Sequence, residues 1–381
     1  MNPDVIPFSR PWLGGQEQRY INEVLTSGQI GAGGPFTQRC EQWLEQYSGS
    51  HRVLLTASCT NALELSAMLI GLNPGDEVIM PSFTFTSTAN AFALRGAKIV
   101  FIDIRPDTLN IDEQAIEAAI TPQTRAIVPV HYAGTSCDMD SIMNIARRHG
   151  LYVVEDAAQG LGASYSQRPL GTSGHLGCYS FHASKNISCG EGGALLINDQ
   201  SLIERAQILH DKGTTRAQFR AGKVRQYDWV DYGMSAPPSE LQASYLLAQL
   251  EHEKYITEQR LHLWELYQKA LAPLVAAGQL QQLRPPIECA HNAHIFAVLF
   301  NSHEARDNAQ QHLAEAGIQT ALHYQPLHRS FASRELGRPH GNMENSESLP
   351  DRLLRLPLWP GMPSDTIPRT AEALHQMLKN S

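Results

Sequence analysis

Two side chains able to do acid–base or nucleophilic chemistry, and an amide beside one of them, fall at spacings that suggest a common site. Residues 151–159 (Leu-Tyr-Val-Val-Glu-Asp-Ala-Ala-Gln) form a short apolar run ending in Asp156, with Gln159 about one turn further on. Residues 180–186 (Ser-Phe-His-Ala-Ser-Lys-Asn) place Lys185 between an aromatic strand end and the loop Cys189-Gly190-Glu191-Gly192-Gly193. A lysine held in this way is a candidate for a Schiff base with pyridoxal phosphate. Asp156 suits the same cofactor, because a carboxylate against the pyridine nitrogen keeps it protonated and lets the ring draw electrons from a substrate carbanion. Taken singly, each residue has a plainer reading: Lys185 as a solvated loop lysine, Asp156 as a helix N-cap. It is their succession across two neighbouring strand ends that points to chemistry.

Other stretches supply what such a cofactor needs. The β-like run 52–56 is followed by Ala57-Ser58-Cys59-Thr60-Asn61 and then a helical pattern. A strand, a small-residue turn and a helix N-terminus make an anion site, because the first helical N–H groups lack partners and the helix dipole is positive there. That turn would seat the phosphate, although a simple Ser/Thr cap reads the same way. Phe85, just beyond the strand pattern 77–80, could cover the flat face of the ring or could be a core residue. Residues 211–226 carry Lys212, Arg216, Arg220, Lys223 and Arg225 against one acid, Asp211. In an acidic chain this cluster could recognise a diphosphate, or be a solvated face.

Apolar runs at 52–56, 77–80, 98–102, 126–130, 152–155, 178–181 and 194–197 alternate with helical segments such as 112–120 and 140–149. That alternation predicts an α/β fold with a mostly parallel, seven-stranded sheet covered by helices on both faces. A long helical pattern from Ser239 to about Leu271 leads into a second region, with strand candidates at 295–300 and 317–323 and helices near 304–316 and 367–378. The division expected is a large domain over residues 1–255 and a smaller C-terminal α/β domain over 256–381. With 42% hydrophobic and 18% charged residues, the chain has the composition of an ordinary globular protein. No apolar run approaches the length of about 18 residues that crosses a membrane, and none in the first 25 residues resembles an export signal, so a cytoplasmic protein is expected. The formal net charge of −8 argues against a nucleic-acid partner. Six cysteines without a CxxC pair indicate neither a metal site nor a disulfide framework.

Together these residues resemble the DegT/DnrJ/EryC1/StrS family of nucleotide-sugar aminotransferases. The similarity rests on residues 53–65, 74–103, 128–134, 153–160, 180–193, 323–328 and 353–358. Its most specific part is Glu-Asp-Ala-Ala-Gln paired with Ser-Phe-His-x-x-Lys-Asn and Gly-Glu-Gly-Gly. The resemblance implies the aspartate-aminotransferase fold (fold type I), a homodimer with active sites shared between subunits, a nucleotide-sugar substrate and L-glutamate as amino donor. It implies that Lys185 carries the cofactor and then acts as the base, and that Asp156 binds the ring nitrogen. It further assigns the phenolic oxygen to Gln159, the phosphate to Ser180, Thr60 and Asn61 beside Cys59, and the ring face to Phe85. His182 and His323 would lie near the sugar.

Where many members carry Asn-Tyr-Arg-Met before the long helix, this chain has Ser235-Ala236-Pro237-Pro238. Ser235 can still donate one hydrogen bond to the neighbouring subunit's cofactor phosphate. The arginine has no replacement there, and the two prolines remove backbone donors. Related sugar dehydratases carry His at the position of Lys185, which favours amino transfer over elimination. A non-catalytic regulator would have no need to keep Lys185, Asp156, Gln159 and Ser180 in register.

Overall fold

The computed structural model describes residues 5–379. Its centre is a sheet whose seven main strands are β1 (Arg52–Thr56), β2 (Glu77–Pro81), β3 (Lys98–Ile102), β4 (Thr124–Ile127), β5 (Tyr152–Asp156), β6 (Leu176–Ser180) and β7 (Gly193–Ile197). They lie in the order β1-β7-β6-β5-β4-β2-β3, and the sheet is parallel except for β7, which runs against both neighbours. Successive residues feed opposite faces, as the period of two requires. Val53, Leu55, Ile79, Val100 and Val153 enter one buried cluster, whereas Leu54, Val78, Met80, Ile99 and Val154 enter the other. Apolar residues on both faces are what a parallel sheet covered twice by helices demands.

The C-terminal ends of β1, β2, β5 and β6 and the start of β7 therefore share one edge, where ligands bind in open α/β sheets. Asp156 ends β5 at that edge, and the loops leaving it carry Ser58, Phe85 and Lys185.

Two features depart from the sequence reading. An eighth strand, Gly337–Pro339, extends the sheet parallel to β3. Three residues holding a glycine and a proline give no strand signal, and Pro339 is tolerated because it sits at the sheet's edge. Gly337 runs so close to β3 that a Cβ there would lie 2.6 Å from the Ile99 carbonyl oxygen. The long helical pattern is also two helices, Glu240–Leu250 and Glu253–Ala276. The break falls at His252, whose Nδ1–H donates to the Ala248 carbonyl (2.9 Å) in place of continuous helical pairing.

Beyond the break, strands Leu280–Gln282, Phe296–Phe300 and Leu353–Leu356 form an antiparallel sheet against helices Glu253–Ala276, His303–Glu315 and Thr366–Lys379. This region has its own buried cluster, including Tyr267, Phe296, Phe300 and Leu374, and Ile6 from the N-terminal segment packs into it. The expected strand at 317–323 reduces to single bridges, Ile6 to Ile318 and Ala321 to Arg355. Instead of continuing a ladder, His323 and Tyr324 turn to the central cavity, where their rings stack at 4.3 Å.

Candidate active site

The strand-to-helix turn after β1 is built to hold an anion. Ser58 caps the helix Cys59–Leu69, its Oγ accepting from the Asn61 N–H (3.2 Å). Among the described residues the N–H groups of Cys59 and Thr60 have no acceptor, and both residues line a cavity of about 750 Å³. β7 begins directly beneath this turn. Gly193 pairs with Thr56 on one side and Ser180 on the other, and a Cβ on it would lie 2.4 Å from the Cys59 nitrogen. Only glycine permits that approach. Gly193→Ala is therefore expected to push the turn away and weaken cofactor binding by at least about tenfold, the loss of roughly one charge-assisted hydrogen bond. Titrating apoprotein with pyridoxal phosphate measures it; an unchanged affinity would show that the turn does not hold the phosphate.

Asp156 ends β5 and is buried, 5% exposed, at the cavity wall. Its Oδ2 accepts from the Thr88 hydroxyl (2.6 Å) and its Oδ1 from the Ala158 N–H (3.1 Å), so both oxygens are oriented and both keep a lone pair free. Thr88 comes from the first turn of the helix Thr86–Ala93, which follows β2. Lys185 sits on the turn after β6, half-buried, and its Nζ has no hydrogen-bond or ionic partner among the described residues. Burial lowers its pKa; the neighbouring Cys59 and Asp156 raise it in part, and Arg355 depresses it further. The consequence is a larger fraction of free amine, the nucleophilic form.

Gln159 is held on both sides. Its Oε1 accepts from the Ala133 N–H (2.6 Å) and its Nε2 donates to the Tyr324 hydroxyl (3.1 Å). Phe85 stands at the cavity with 57% of its surface exposed, and its ring lies 6.2 Å from that of Tyr324. An aromatic face left open beside a cavity is suited to a planar ligand. His182 is exposed at the rim, its Nδ1 accepting from the Ser184 N–H (3.2 Å). His323 is inside, hydrogen-bonded through Nδ1 to the Tyr132 hydroxyl (2.7 Å). Burial, with the charges of Arg355 and Lys185, pushes its pKa down to about 2, so it is neutral.

Of the residues singled out in the sequence, Cys59, Thr60, Phe85, Asp156, Gln159, Ser180, His182, Lys185 and His323 line this one cavity. Asn61 does not. Its N–H is taken by Ser58, and its side chain donates to Glu64 (3.1 Å). Lys212 and Arg216 lie outside the lining, beside Asp211 at 2.9 and 3.9 Å, and Ser235 is also outside it. Thr88, Tyr324 and Arg355 line the cavity without having been signalled. Thr88 was within reach of sequence reasoning, as a hydroxyl one helical step beyond Phe85. The other two depend on how the C-terminal region folds back.

The residues present fit pyridoxal phosphate on the chemistry of their donors. Two open N–H groups at a helix N-terminus with the Ser180 hydroxyl suit a phosphate, Asp156 suits a ring nitrogen, and an unpaired amine suits an aldehyde carbon.

The family model described as the DegT/DnrJ/EryC1/StrS aminotransferase family matches residues 11–375. Solved structures agree. The aminotransferase TlmJ from Streptoalloteichus hindustanus is 29% identical with a TM-score of 0.90, over 98% of this chain and 99% of that one. S. venezuelae DesV, solved with a ketimine intermediate, is 32% identical with a TM-score of 0.85, over 94% and 93%. The putative sugar aminotransferase Spr1654 from Streptococcus pneumoniae, in its PLP form, is 27% identical with a TM-score of 0.90, over 99% of each.

Proposed function

The chain belongs to the DegT/DnrJ/EryC1/StrS aminotransferase family, whose members depend on pyridoxal phosphate, and from that premise we propose that it moves the amino group of L-glutamate to C4 of a dTDP-4-keto-6-deoxyhexose. The product is dTDP-4-amino-4,6-dideoxygalactose. The amino-transfer chemistry rests on the convergence of Lys185, Asp156 and the open Cys59–Thr60 turn on one cavity, and the choice of sugar on the resemblance of the whole chain and on the basic cluster at 211–226.

When bound, the cofactor supplies an electron sink that stabilises charge on the carbon bearing nitrogen. The chain's own residues do the rest. The Cys59 and Thr60 N–H groups and the Ser180 hydroxyl hold the phosphate; Asp156 keeps a proton at the ring nitrogen; Gln159, steadied by Ala133 and Tyr324, hydrogen-bonds the phenolic oxygen; Phe85 covers one ring face. Lys185 takes a proton from Cα of glutamate and later returns one to C4 of the sugar. His182 at the rim and neutral His323 within the cavity contact the sugar.

The working form in this reading is a cytoplasmic homodimer, with residues 1–255 as the large domain and 256–381 as the small one. The exposed segment that carries Lys212 and Arg216 also presents Tyr227 and Trp229, the latter 75% exposed. An apolar surface beside basic residues suits an interface that brings charge to the partner's nucleotide diphosphate, and Ser235 adds one donor for the partner's cofactor phosphate.

NMR of the product from the dTDP-keto-sugar and glutamate tests the assignment. An axial amine at C4 is expected. An equatorial amine would move the chain to the gluco-configured reaction, and a C3 amine to a different keto-sugar.

A further inference from the structure

Glu155 precedes Asp156 on β5 and, by the strand's period of two, points away from the cavity that Asp156 lines. It is fully buried, and N–H groups converge on both its oxygens. Those of Ser173 and Gly174 donate to Oε1 (2.7 and 2.6 Å), and that of Gly171 to Oε2 (2.9 Å). The remaining donor is a side chain, His131, also fully buried, at 2.8 Å from Oε2. Its Nδ1 accepts from the Cys137 N–H (3.2 Å), which leaves the proton on Nε2 for Glu155. The imidazole therefore closes the chain from 131 to 137 into a loop and ties that loop to β5. The main chain adds a second tie, from the His131 N–H to the Asp156 carbonyl (3.1 Å).

Within the clasped loop Ala133 has φ 61 and ψ 14. A residue with a Cβ seldom occupies the left-handed region, and it stays there where its surroundings over-determine it. In this conformation its N–H donates to Gln159 Oε1 (2.6 Å). That bond decides which way round the Gln159 amide lies. The other partner, the Tyr324 hydroxyl, can accept or donate and would tolerate either orientation. The Ala133 N–H can only donate, so it holds the amide oxygen and leaves one hydrogen of Nε2 without a partner among the described residues. A reversed amide would turn an oxygen toward the cofactor's phenolic oxygen and repel it.

We propose that Glu155 and His131 are positioning residues for Gln159, clasping the 131–137 loop so that the Ala133 N–H fixes the amide with its donor toward the phenolic oxygen. This rests on the reading above in which Gln159 meets that oxygen. It gives the first residue of the Glu-Asp-Ala-Ala-Gln run a task at the site: it orients the last residue of the same run by way of a separate loop. A donor at the phenolic oxygen draws charge away from the nitrogen that joins the cofactor to Lys185, and that nitrogen then holds its proton less tightly. Losing the donor raises the pH at which the proton leaves, and the visible absorption of the bound cofactor reports it.

The test titrates that absorption against pH, with cofactor content checked, in wild-type holoenzyme, Q159L, H131L, E155D and the double variant H131L/Q159L. Q159L should raise the midpoint by about one pH unit, the size of one hydrogen bond to a charged oxygen. H131L should raise it at least about half as far, because the amide is then free to turn. The double variant should match Q159L to within about 0.3 unit, since both changes remove the same donor. E155D keeps the acid but withdraws it from His131 by one methylene, and should shift the midpoint the same way by less. If H131L does not fold or hold cofactor, E155D and E155D/Q159L decide by the same comparison. An unchanged midpoint in H131L, or in E155D where H131L fails, overturns the proposal while Q159L still shifts. Additive shifts in the double variant also overturn it, as they would mean a general loosening of the site. An unchanged midpoint in Q159L overturns the reading of Gln159 as the phenolic-oxygen donor, and the proposal with it.

Discussion

Lys185→Ala should abolish turnover, by at least about four orders of magnitude or roughly 5 kcal/mol of barrier, while leaving the fold intact. Among the described residues no other side chain lining the cavity is a primary amine. Arg260 and Arg355 cannot deliver a neutral nitrogen at working pH, and neutral His323 is tied to Tyr132. The backbone around Lys185 is fixed independently of its side chain. The Lys185 N–H donates to the His182 carbonyl (2.9 Å), and the Asn186 amide bridges the Asn292 carbonyl (3.0 Å) and His294 Nδ1 (2.9 Å). Removing the amine should not lower stability either. The folded-state pKa is below that of an exposed lysine, so the charged form is disfavoured by folding, and the associated penalty is present wherever the unfolded chain's lysine is protonated. Cofactor-free Lys185→Met should accordingly unfold at an equal or higher denaturant concentration than cofactor-free wild type near pH 7. Borohydride treatment of the wild-type holoenzyme should fix the cofactor on the peptide holding Lys185, and label on any other lysine would end the assignment.

Asp156→Asn should reduce turnover at least about a hundredfold, roughly 3 kcal/mol of barrier, with cofactor still bound. An amide retains the shape and can still meet Thr88 and the Ala158 N–H, so the local structure should hold. What it lacks is the charge that keeps a proton at the pyridine nitrogen. Steady-state kinetics with a check of cofactor content measures this. Near-normal turnover would reduce Asp156 to a structural role at the strand end.

The parts of the site that could be read from the sequence are those written into continuous stretches. Asp156 closes an apolar run, Lys185 precedes a Gly-rich loop, and Ser58 to Asn61 join a strand to a helix; each is local, and each periodicity is strong. What escaped depends on long-range closure. Arg355 reaches the cavity because its strand bridges Ala321, and Tyr324 meets Gln159 across 165 positions. The extra strand Gly337–Pro339 is created by the edge of β3 and not by its own propensity. The break at His252 is a side-chain-to-backbone contact inside an otherwise unbroken helical pattern. Asn61, which the resemblance assigns to the phosphate, gives its N–H to the Ser58 cap and turns its side chain to Glu64 in this structure.

The most direct measurement supplies L-glutamate labelled with ¹⁵N at the amino group, together with the dTDP-4-keto-6-deoxyhexose and holoenzyme, and follows both products by mass spectrometry. The account predicts an amino-sugar nucleotide carrying the ¹⁵N label, formed one for one with 2-oxoglutarate, and no such product from Lys185→Ala. A sugar nucleotide that loses its hydroxyl without gaining labelled nitrogen, or no labelled amine from any keto-sugar nucleotide while the holoenzyme is folded and loaded, would contradict it.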